Sequence, residues 1–104
     1  MFKEEAKRIL ESHIRDLRVK SFQEACALPE ATSEECLVAG EKASLTVFRQ
    51  NSPYKLEGKV LVTVQVAKPV MLGMGSAHFE RGLVFSPNEE SREATENELQ
   101  NTGG

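Results

Sequence analysis

His78, Glu80 and Arg81 fall within the run His78-Phe79-Glu80-Arg81, the densest set of chemically capable side chains in the sequence. Residues two apart on a β-strand emerge on one face, so His78 and Glu80 are spaced to act together. An imidazole beside a carboxylate can serve as a base with its orienting partner, or as a polar pair that fixes a ligand. Lys68 at the end of a neighbouring strand and Tyr54 in a loop are the companions expected for such a site. The competing reading is plainer. The solvated face of an antiparallel strand ordinarily carries just such a row of charges.

The other chemistry-bearing residues are thinly spread. His13, His78, Cys26 and Cys36 are the histidines and cysteines of the chain, and no Cys-x-x-Cys or His-x₃-His spacing groups them as zinc ligands. No metal and no cofactor is expected. Cys36 sits in no context that would activate a thiolate, and both cysteines read as reduced, buried small hydrophobes. Gly73-Met74-Gly75 lacks the strand, the helix and the lysine that a phosphate-binding loop requires. Val70, Met71, Leu72 and Met74, in contrast, form too apolar a connection for an exposed loop. They are expected to lie over the sheet as a lid or to make a partner surface, where methionine adapts well.

The elements that must position these residues follow from periodicity. Phe2, Ala6, Ile9, Leu10, His13 and Leu17 recur on one face at 3.6 residues per turn, with Ile14 widening it, which predicts a helix over 2–17. Glu4 and Glu5 at its start and Arg15 and Arg18 at its end suit the helix dipole, and Lys7 is spaced to pair with Glu11. Residues 19–42 are ambiguous. Ser21-Phe22-Gln23-Glu24 has capping-box spacing before a short helix stopped by Pro29, yet it could also continue the first helix, or 19–28 could be an edge strand. Thr32 or Ser33 could start another helix that Gly40 ends, unless sheet pairing overrides these local signals.

From residue 43 the period changes to two. Ala43, Leu45 and Val47 alternate with Ser44, Thr46 and Phe48. In 60–66, Val60, Val62, Val64 and Val66 share one face, and their burial would contribute roughly 6–10 kcal/mol of gross transfer energy. Pro69 closes this strand. The last strand spans about 77–85, with Ala77, Phe79, Leu83 and Phe85 on one face and His78, Glu80 and Val84 on the other, and Arg81 falls on the aromatic face. Gly82 in its middle marks a bulge or a close neighbouring backbone.

Charge is unevenly placed. Of the net −3, residues 88–104 carry −4 and residues 1–87 carry +1. A near-neutral body with an acidic tail does not suit nucleic acid, which needs a basic face. No apolar run approaches the ~20 residues of a membrane span, and the charged N-terminus lacks a signal peptide's apolar core, so a cytoplasmic location is expected. The expected architecture is α+β: an N-terminal helix packed on a curved antiparallel meander of three or four strands. It forms one domain over 1–87, with a disordered polar tail at 88–104. The expected function is a non-enzymatic binding or assembly module that dimerises, or docks a protein partner, through its sheet face and Val70, Met71, Leu72 and Met74. The alternative is a small-molecule pocket between helix and sheet using His78 and Glu80.

Overall fold

The computed structural model describes residues 2–52, 57–68, 78–95 and Leu99. The predicted first helix is present as α1, Phe2–Arg18. Ala6, Leu10, Ile14 and Leu17 are buried along it, and His13 is half-buried at the margin of that stripe. Within α1, Arg8 pairs with Glu5 at 3.2 Å, one turn apart. A short helix α2, Phe22–Cys26, follows, and its start is the capping box that the spacing indicated. The Glu24 N–H donates to Ser21 Oγ at 3.1 Å, and the Ser21 N–H donates to Glu24 Oε1 at 2.8 Å. The bond from the Ser21 N–H, together with the Ser21 hydroxyl, holds the Glu24 carboxyl below its usual range, with the nearby Lys20 charge adding a smaller pull.

Five antiparallel strands follow in sequence order, so the chain meanders across one sheet. They are β1 (Ala31–Val38), β2 (Glu41–Asn51), β3 (Val60–Ala67), β4 (His78–Ser86) and β5 (Glu89–Glu93). The expectation of three or four strands is therefore corrected to five, with one strand added at each side. At the first side, the residues with helix-start signals, Thr32 to Glu35, run as β1 instead. Ala39 and Gly40 both take positive φ (51° and 79°), the backbone of a tight hairpin turn that matches strand twist. With that turn closed, each β1 residue gains a ladder partner on β2, and cross-strand pairing outweighs weak local preference. At the other side, β5 is built from residues 89–93, within the segment expected to be tail.

β3 is the central strand. Val60, Val62, Val64 and Val66 are each 3% exposed or less, and they join Leu10, Ile14, Leu83 and Phe85 in the main core under α1 and α2. The opposite face of the same strand is also covered in part. Leu61 and Val84 form a second apolar cluster with Leu99, flanked by Ala94. Gly82 explains how Leu99 gets in. A Cβ on Gly82 would stand 2.9 Å from Leu99 Cδ2 and 3.1 Å from the Val62 carbonyl oxygen. Gly82 keeps its register opposite Thr63, so of the two predicted causes it is the close approach that holds. The irregular register lies between β4 and β5, at Val84 and Ser86.

Candidate functional site

The structure divides the residues that the sequence grouped. His78 is exposed at the start of β4, paired with Ala67, and Glu80 is half-buried opposite Gln65. Their partners alternate with the core-facing valines of β3, so both side chains stand on the outer face, away from α1. Arg81 is on the other face, opposite Val64. Lys68 is engaged elsewhere: its Nζ lies 2.7 Å from Glu41 Oε1 and 5.4 Å from the Phe2 ring centroid. Phe2 in turn packs on Phe79 with ring centroids 6.2 Å apart, so Lys68 helps tie the start of α1 to the end of β3. Tyr54, Val70, Met71, Leu72 and Met74 lie outside the described residues. The space between α1 and the sheet is filled by Leu10, Ile14, Val62 and Val64.

Both cysteines are free thiols. Cys26 is exposed, which corrects its expected burial, because it closes a one-turn helix whose inward position is taken by Ala25. Cys36 is half-buried, and partial burial together with the neighbouring Glu34 charge pushes its thiol up from the usual range. A raised thiol is a poorer nucleophile at neutral pH. Among the described residues no three of His, Cys, Asp and Glu are grouped so as to hold a metal ion.

One charged cluster is assembled that the sequence did not group. Arg81 Nε donates to Glu93 Oε1 at 2.6 Å, and Arg18 of α1 approaches Glu93 Oε2 at 3.8 Å. Glu11, Arg15, Arg18 and Arg81 border a shallow cleft of about 220 Å³ at this point. The Arg81 bond holds the Glu93 carboxyl below its usual range, aided by the Arg81 and Arg18 charges, and Glu93 raises Arg81 in return. This arrangement joins three elements: it ties β5 to β4 and to the end of α1. Its charged groups answer one another, so its evident work is structural. Glu93 was hidden in the sequence as one acid among five in an acidic tail. Leu99 had a signal, since it is the only large apolar residue of 88–104.

The outer face offers a different kind of surface. Ser33 and Thr46 share a hydrogen bond at 3.2 Å across β1 and β2. Next along β2, Phe48 is half-buried between Ala31 and Thr63 in the ladder, and among the described residues it joins neither apolar cluster. Gln65, Ala67 and Glu80, also half-buried, continue this face toward His78. Leu99 covers one corner of it, over Leu61, Gly82 and Val84. No helix among the described residues is long and apolar enough to cross a membrane. No protein-family model matches the chain, and comparisons with curated proteins and with solved structures give no significant match.

Proposed function

We propose that this chain is a non-enzymatic binding and assembly module that pairs with a second copy through the outer face of its sheet. The observation that carries the reading is the unequal cover of the two faces. Helices close one face over a continuous core, whereas among the described residues Leu99 and Ala94 cover only a corner of the other. Phe48 stands on the remainder as a large apolar side chain with room for a partner. A body this small gains from such pairing, because its single core buries a modest share of its surface. Val70, Met71, Leu72 and Met74 belong to the same proposal as adaptable apolar residues suited to a partner. The near-neutral body does not favour nucleic acid, and two free thiols suit a reducing compartment such as the cytoplasm.

Light scattering across a concentration series tests this reading. The expected result is a monomer–dimer equilibrium that Phe48→Glu shifts to monomer without loss of the far-ultraviolet circular dichroism. A wild-type chain that stays monomeric at high concentration would refute it.

A further inference from the structure

Among the described residues the sheet ends at β1 on one side and β5 on the other. The direction of the β1 backbone can be worked out from one bond. The Arg49 N–H donates to the Glu30 carbonyl at 2.8 Å, one position before the Ala31–Phe48 pair. In an antiparallel ladder, residues bonded to the neighbouring strand alternate with residues turned away from it. Even-numbered positions of β1 therefore face β2. Ala31, Ser33, Glu35 and Leu37 turn their N–H and C=O groups outward, as a row of donors and acceptors ready for another strand.

Side chains along this edge bear on what that strand could be. Leu37 is 69% exposed, and a shallow depression of about 370 Å³ beside it is lined by Glu35, Cys36, Leu37 and Lys42. Glu34 and Glu35 stand at the middle of the strand on opposite faces, and no ion pair among the described residues uses either. A second copy is a poor occupant. Antiparallel pairing of β1 with itself through its outward groups matches odd positions with odd, so the two longest registers set Glu34 opposite Glu34 or Glu35 opposite Glu35, and pairing with β5 brings Glu89, Glu90 and Glu93 alongside. Like charges directly opposite one another destabilise a ladder. The same carboxylates attract a basic strand, so the edge rejects its own kind and accepts the opposite charge.

We propose that β1 is a strand-addition site for an extended peptide segment with two adjacent basic residues, one for each carboxylate, and an apolar residue beside Leu37. Main-chain bonds to Ala31, Ser33, Glu35 and Leu37 supply the affinity, and the dibasic pair sets the register. The site is an edge and the self-association surface is a face, so the two stand or fall separately: Phe48→Glu leaves peptide binding unchanged.

The probe is a short capped peptide with two central lysines flanked by valine and threonine, titrated by fluorescence anisotropy and by amide chemical shifts. Expected are saturable binding, shifts centred on residues 31–37, and loss of affinity by about tenfold or more on Ser33→Pro. That substitution removes an outward N–H and leaves the β1–β2 bonds in place, while Ser33→Ala controls for the Thr46 contact and retains binding. Charge reversal with Glu34→Lys and Glu35→Lys is expected to transfer binding to the matching diglutamate peptide. The proposal is overturned if the dilysine peptide fails to bind. It is equally overturned if a proline-interrupted peptide of the same charge binds as well, or if the shifts map to β5.

Discussion

The two faces of β3 are built from neighbouring residues and behave differently. Val60, Val62, Val64 and Val66 lie under two helices in a core that runs from Ala6 to Phe85. Leu61 and Thr63 are nearly as buried, at 0% and 6% exposed, but Leu61 owes its cover to Val84, Leu99 and Ala94 rather than to α1 or α2. One face is closed by two helices over a continuous core, the other, among the described residues, by Leu99 and Ala94 from late in the chain. The difference shows that burial alone does not identify a core. What matters is how many independent elements supply the covering atoms.

The sharpest break of this comparison is a charge placed on each face. Val64→Asp buries a carboxylate without a partner and is expected to cost more than about 4 kcal/mol, enough to unfold a domain this small. Gln65→Asp, one residue on and half-buried on the outer face, is expected to cost under about 1 kcal/mol. Urea denaturation of the pair measures the contrast, and equal losses would mean that the outer face is as closed as the inner.

Next in size is the Leu99 cover. Leu99→Ala is expected to cost about 2 kcal/mol, at the low end for a buried leucine, because neighbours can close over the gap. Gly82→Ala is expected to cost about 1 kcal/mol, since its Cβ meets Leu99 and the Val62 carbonyl. In the double mutant the two losses should fall short of their sum by at least about 0.5 kcal/mol. Strict additivity in a thermal-melt cycle would show that Leu99 does not sit on Gly82 in solution.

The smallest effect concerns the clamp at β5. The folded Glu93 carboxyl is lowered by Arg81, so its stabilisation is present above the ordinary glutamate range and is lost as pH falls through the lowered value. Both partners are about a third or more exposed, and solvent screening limits the pair to under about 1 kcal/mol. Arg81→Met should lower stability at pH 7 by that small amount and change little once Glu93 is protonated, so that the acid limb below the ordinary glutamate range flattens. An unchanged acid limb in melts across that range would dissociate Glu93 from Arg81.

Legibility in the sequence followed the same division. α1 was readable because its stripe repeats over more than four turns, and β3 because four valines alternate without interruption. The Ser21–Glu24 capping box was readable because it closes within four residues. β1 was obscured, since Glu34, Glu35 and Gly40 favour a helix ending locally while Leu45, Ser44 and Lys42, the partners of Glu34, Glu35 and Leu37, lie on the next strand. For the candidate site, the alternation of β4 was enough to put His78 with Glu80 and Arg81 on the other face. Lys68 could not be placed that way, because its partners Glu41 and Phe2 are remote in sequence.

By itself, then, the sequence determined the helix-plus-meander plan, the central strand and the face of that strand that lies inward. Each of these is set by the period of side chains along a single element, which local geometry converts directly into sides. Only the tertiary structure decided that residues 31–38 and 89–93 extend the sheet at its two margins, that Arg81 serves Glu93, and that Leu99 returns to the gap at Gly82. Each of those depends on a contact between residues at least ten positions apart, or on a strand whose stability comes from its neighbour. Nothing in a short window carries that information, because the free energy that selects the contact resides in the pair and in the bonds it completes.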